Sequence, residues 1–107
     1  MITIEEFRKL EMKVGKVVEA AEHPNATKLL VLKVDIGEPA PRQLVAGIKG
    51  HYAPDQLVGK SVVVLANLQP ALLRGVESQG MILACTNGAD VVLLTTDRAA
   101  LPGSPVS

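Results

Sequence analysis

A nucleophile–base pair can be imagined in this sequence from Ser78, in the stretch RGVESQGM, with one of the two histidines, His23 or His51. A serine hydrolase needs its serine within reach of a histidine that a third group holds in place. Nothing like Gly-x-Ser-x-Gly surrounds Ser78, and no carboxylate is marked as the third member. Gly59-Lys60-Ser61 imitates the end of a phosphate-binding loop, yet that pattern's first glycine would fall on Pro54, and no strand leads into it. Cys85 is the only cysteine, which excludes an internal disulfide and a Cys-x-x-Cys zinc set. Its apolar setting, MILAC, predicts a small buried hydrophobe. The histidines stand far apart in the sequence, neither with a second ligand at metal spacing. The expectation is a chain with no catalytic residue, no metal and no cofactor.

Periodicity gives the elements that would position any other chemistry. Thr3-Ile4-Glu5-Glu6 is a capping box, and Ile2 and Phe7 are spaced as a hydrophobic staple, which predicts a short helix over residues 4–10. From Met12 the period becomes two, with Met12, Val14, Val18 and Ala20 on one face and Lys13, Gly15 and Glu19 on the other. Gly15 suggests a bend or bulge. AEHPNATK breaks this strand, and LLVLKVDI resumes the alternation with Leu30, Leu32, Val34 and Ile36 together. QLVAGI predicts a third strand, Pro54 to Gly59 a helical turn, and SVVVLA a fourth strand. NLQPALLRGVES is expected as a long loop and QGMILAC as a fifth strand, before an Asn87-Gly88 hairpin into VVLLT. Five strands with the only internal helical turn between the third and fourth is the order of an OB fold, a Greek-key barrel used for oligonucleotides and oligosaccharides. A generic small sandwich or barrel is the alternative. The length suits one domain over residues 1–107.

Composition narrows the ligand. Apolar residues make up 48% of the chain and aromatic ones 2%, so the core must be built from Val, Leu, Ile and Ala. No apolar run approaches a membrane span, and the N-terminal MITIEEFRKL is acidic where a signal peptide is basic; a soluble, cytoplasmic protein is expected. Eleven basic and eleven acidic residues cancel, which argues against tail-driven nucleic-acid binding but leaves room for a local patch. Lys28 closes the Pro/Asn loop between the first two strands, where OB folds hold ligand. Lys33 and Arg74 are further candidates, although each of the three, taken alone, reads as a solvated surface charge. With Phe7 in the staple, only Tyr52 remains to stack a base. A nucleic-acid ligand would therefore be held through its backbone and shape, as folded RNA allows. Met81 shares its parity with Leu83 and Cys85, so it faces a ligand only if the barrel rim lies between 81 and 83 or a bulge intervenes.

Four segments carry a recognisable pattern: LEMKVGKVVEAAEHPNATKLLVLKVDIG, VAGI, LVGKSVVVLANLQPALLRGVESQGMILA and the closing VVLLTTDRAALPGSPV. Together they resemble the tRNA-binding domain found at the C-terminus of many methionyl-tRNA synthetases, sometimes as a separate beta chain, and also as a free-standing structure-specific tRNA-binding protein. The resemblance covers nearly the whole chain. It implies an OB barrel with an N-terminal helix, and a C-terminal extension that helps form a homodimer. It also implies non-catalytic binding to folded tRNA near its outer corner, with contacts from Lys28, Ser78 and Met81. On that reading Gly75 and Gly80 admit the RNA backbone, Ser78 offers a hydroxyl, and Met81 gives an adaptable apolar contact. GEPAPR is slightly longer than usual. Ala71 and Leu72 stand where some relatives carry lysine or arginine, and each lost phosphate contact weakens binding. The expectation is a shape-specific tRNA-binding module, free-standing or raising the tRNA affinity of methionyl-tRNA synthetase. Lys28, Ser78, Met81, Arg74 and Lys33 form its surface. The alternative is an OB-like module that docks a synthetase or chaperone client without binding RNA.

Overall fold

The N-terminal capping box forms as its spacing requires: Thr3 Oγ1 accepts the Glu6 amide, and Glu6 Oε1 accepts the Thr3 amide. The helix it starts, α1 (Ile4–Phe7), is shorter than the expected span and buries none of its residues. β1 (Met12–Glu22) follows, and its facing differs from simple alternation. Val17 pairs with Val34 of the next strand and Glu19 with Lys33, so Val18 is an extra residue that bulges out of register. Val17 is therefore in the core and Val18 is exposed. Gly15 is no bulge: it faces inward, and a Cβ there would lie 2.6 Å from Val34 Cγ1. Gly15 supplies room for a valine while the bulge three residues on bends the strand. The bend lets the first half of β1 pair with one neighbour and the second half with another.

In the computed structural model, which describes all 107 residues, the second half of β1 pairs with β2 (Leu30–Asp35), and β2 with β3 (Arg42–Ala46). The alternation of β2 is kept in full, with Leu30, Leu32 and Val34 inward and Ile36 continuing the row. α2 (Pro54–Leu57) is started by Pro54 and drops Leu57 into the core. β4 (Ser61–Leu65) then pairs with the first half of β1, turning Val62 and Val64 inward.

The stretch expected as a long loop contains a hairpin, β5 (Ala71–Leu73) and β6 (Val76–Ser78). Arg74 and Gly75 form its turn with φ of 53° and 87°, the positive pair that a two-residue type I′ turn demands. Arginine in place of the usual Asn or Asp hides the signal, and the exposed Ala71, Leu72 and Leu73 show no alternation. The expected fifth strand is divided as well. β7 (Met81–Ile82) pairs with β4, whereas β8 (Ala84–Asn87) turns through Gly88 and Ala89 onto β9 (Asp90–Leu93). Cys85, expected in the core, is exposed because it lies in β8, after the chain has left the barrel. Last, β10 (Pro105–Val106) returns to the start of β1.

The main sheet runs β3-β2-β1-β4-β7, with β10 added on β1, and curls into a nearly closed five-stranded barrel, the expected OB architecture. The seam between β3 and the segment entering β7 is closed largely by side chains. Gln79 donates its amide to the Gln43 carbonyl (2.8 Å), and its Oε1 accepts the Gln43 amide (3.1 Å). Arg42 Nη1 donates to the carbonyls of Ala66 and Gln79. Glu38 grips the other side of that guanidinium with both carboxylate oxygens at 2.9 Å. Its bond to Arg42 holds the Glu38 carboxyl below the ordinary range against the opposing effect of desolvation. No helix is long and apolar enough to cross a membrane.

The close approach at Gly15 has a measurable consequence. Gly15→Ala forces its new methyl against Val34 and is expected to destabilise the fold by about 1–3 kcal/mol, read as a lower urea midpoint at unchanged slope.

Candidate nucleic-acid interface

The loop joining β1 to β2 carries Lys28, and the β5–β6 hairpin carries Arg74 at its turn. His23 ties the two together. Its Nε2–H donates to the Leu73 carbonyl (2.9 Å), and its Nδ1 accepts the Asn25 amide (2.9 Å). The ring is buried. The Lys28 carbonyl accepts the Lys49 amide (3.4 Å), which anchors the loop from below. The two ion pairs of the structure are Glu38 with Arg42 and Glu22 with Lys49, so Lys28 and Arg74 both stand exposed without an anionic partner.

Lys33 lies on the outward face of β2, where its Nζ donates to Gln43 Oε1 (3.0 Å). Gln43 Nε2 in turn donates to the Glu77 carbonyl (2.8 Å) at the base of the hairpin. Lys33 is thereby linked through β3 to the hairpin that holds Arg74. These three basic residues occupy adjoining elements, as a patch requires.

Ser78 is placed differently from the sequence expectation. Its side chain is buried, its Oγ accepts the Val45 amide (3.0 Å) and its hydroxyl donates to the Gly80 carbonyl (2.9 Å). A hydroxyl engaged in both directions fastens the hairpin to β3, so any influence of Ser78 on a ligand passes through hairpin position. Gly80 is also used internally: φ is 146°, and a Cβ there would lie 2.9 Å from the Leu65 carbonyl oxygen. Of the two glycines expected to admit a backbone, only Gly75 has open space around it.

Met81 points out of the barrel. It pairs with Leu65 on the outer face, while Ile82 pairs with Val64 and packs against the core. Its side chain is 45% exposed. The same row includes Met12 at the start of β1, whereas Lys28 follows the far end of that strand, so Met81 sits apart from the basic cluster along β1.

No serine–histidine pair exists, since Ser78 and His23 are each occupied by backbone groups. His51 Nδ1 accepts the Val91 amide (3.2 Å), and the Tyr52 hydroxyl accepts the Leu93 amide (3.1 Å), so both fasten the β8–β9 hairpin to the barrel. No group of three His, Cys, Asp or Glu side chains gathers that could hold a metal ion. Sequence reasoning missed His23, Arg42, Gln43 and Gln79. Each makes a bond to a group 24 to 50 residues away, beside shorter-range bonds such as His23 to Asn25 and Arg42 to Glu38.

The fold is a small OB barrel whose seam is closed by side chains, with Lys28 in one loop and Arg74 at a hairpin turn. The chain belongs to the family described as "Putative tRNA binding domain", which it matches over residues 12–105. It is 50% identical over 105 residues to the methionine–tRNA ligase of Thermococcus kodakarensis, covering 98% of this chain and 14% of that enzyme. The corresponding enzyme of Thermotoga maritima is 52% identical over 106 residues, 99% of this chain and 17% of the enzyme. The chain thus spans less than a fifth of these relatives. Among solved structures, the MetRS related protein of Pyrococcus horikoshii superposes with a TM-score of 0.92 at 34% identity, over 100% of this chain and 98% of that one. The chaperone CsaA of Bacillus anthracis gives 0.93 at 30% identity, over 100% and 99%.

Ser78→Ala leaves the buried Val45 amide without its acceptor and is expected to cost about 1–3 kcal/mol of stability, measured by urea denaturation. Stability equal to wild type would contradict the fastening role.

Proposed function

We propose that this chain is a non-catalytic module that binds folded tRNA at its outer corner, acting free-standing or by raising the tRNA affinity of methionyl-tRNA synthetase. The observation that carries the reading is the joining of the Lys28 loop to the Arg74 hairpin, with both cations unpaired, on a chain of the family named above. Lys33 extends the patch along β2, whereas Met81, exposed but set apart from the basic cluster along β1, would meet a separate part of the ligand. Ser78 serves the site by holding the hairpin. Tyr52, the aromatic left for base stacking, spends its hydroxyl on Leu93 and packs against the core, which favours backbone and shape recognition over stacking.

Zero net charge suits a homodimer, because two copies of a modest patch on one ligand act at high effective concentration. Val92, Leu94 and Leu101 are exposed apolar residues of the C-terminal region and supply the candidate seam. A cytoplasmic setting follows from the ligand. The second reading, a module that docks protein clients, is favoured by the likeness to chaperone CsaA and makes RNA binding dispensable.

A gel-shift titration of folded tRNA against a single strand and a plain duplex of equal length separates the two. The tRNA reading expects preference for the folded molecule, with Lys28→Ala weakening binding and lowering the salt slope by about one. Equal or absent binding to all three nucleic acids would overturn it. Light scattering at micromolar concentration is expected to give twice the mass of one chain, and a monomer would remove the dimer.

A further inference from the structure

His23 is 4% exposed, yet both of its ring nitrogens are bonded. One donates to Leu73 and the other accepts from Asn25, which fixes the neutral tautomer with its hydrogen on Nε2. The opposite tautomer would set a donor against the Asn25 amide. The two partners belong to the two elements that hold Lys28 and Arg74: Asn25 is in the Lys28 loop, and Leu73 immediately precedes Arg74. The hairpin's other ties to the barrel, at Glu77 and Ser78, are at its base. Near the turn, Leu72 and Leu73 are exposed and offer little packing to hold it.

We propose that His23 is a positioning residue that couples the Lys28 loop to the Arg74 hairpin, so that both cations meet the RNA backbone as one preorganised unit without His23 touching RNA. The proposal rests on the tRNA-binding reading above. Two contacts held in fixed geometry bind more tightly than the same contacts on independently moving segments, because the ordering cost is already met in folding. The imidazole suits the task because one rigid ring presents a donor and an acceptor on separate atoms that reach both elements at once.

Three variants separate the two bonds. His23→Phe fills the ring's space and makes neither bond, His23→Gln keeps an N–H for the Leu73 carbonyl, and His23→Asn keeps an acceptor for the Asn25 amide. Titration with folded tRNA at fixed low salt is expected to show about tenfold weaker binding for His23→Phe, with His23→Gln recovering most of it and His23→Asn little. Coupling gives a second readout: Arg74→Ala is expected to cost about fivefold in the wild type but under about twofold in the His23→Phe background. Without RNA, amide exchange in the β5–β6 hairpin should quicken in His23→Phe and His23→Asn and stay slow in His23→Gln.

Folded His23→Phe with wild-type affinity, or an undiminished Arg74→Ala penalty in that background, would overturn the proposal. If His23→Phe does not fold, His23→Asn decides: wild-type affinity alongside a loosened hairpin would equally overturn it. Wild-type protein showing no preference for folded tRNA overturns the functional reading and this inference together. Hairpin exchange that rises in His23→Asn but leaves tRNA preference intact and affinity lowered supports both.

Discussion

The barrel depends on a seam that a continuous backbone ladder does not close. β3 and the segment entering β7 meet through Gln79, Ser78 and Arg42, with Glu38 fixing the guanidinium from outside. A ladder supplies its bonds from every residue, whatever the side chain. A side-chain seam needs particular residues at particular positions, and it leaves the chain free to project a hairpin at the point of closure. The β5–β6 hairpin arises there, so the same polar residues that complete the barrel also set where its arginine stands.

That arrangement explains why the strand entry at residues 77–80 is polar although it borders an apolar core. Glu77 offers its carbonyl to Gln43, Ser78 satisfies a buried amide, and Gln79 exchanges two bonds with β3. Gly80 allows the backbone to pass against Leu65, where any side chain would clash with a carbonyl. The stretch therefore acts first as structure, and its effect on a ligand is geometric.

Much of this was legible beforehand, and the gaps have a common cause. The alternation of β2, the Thr3 capping box, the Pro54 turn and the Asn87-Gly88 hairpin are local signals, and each formed, the hairpin with its turn one residue on, at Gly88 and Ala89. Lys28, Lys33 and Arg74 could be singled out as candidates because charge is visible in one dimension, and the structure sets them on adjoining elements. The inward Gly15, the bulge at Val18 and the exposed Cys85 escaped because each depends on where a distant strand pairs or departs. His23 and Arg42 escaped for a related reason: they satisfy carbonyls far along the chain, and a backbone carbonyl has no residue type by which to recognise it.

β1 is the longest strand and pairs with three others. Its first residues pair with β10 on one edge and β4 on the other, while its last residues lead directly into the Lys28 loop. The segments that flank both chain ends are thus gathered at one end of an 11-residue strand, and the Lys28 loop with the Arg74 hairpin at the other. At about 3.3 Å per residue, that strand is a spacer of up to about 35 Å, shortened by its bend. Any body joined covalently at either terminus would be held off from the Lys28 and Arg74 loops by roughly the strand's own length, leaving that end of the barrel clear.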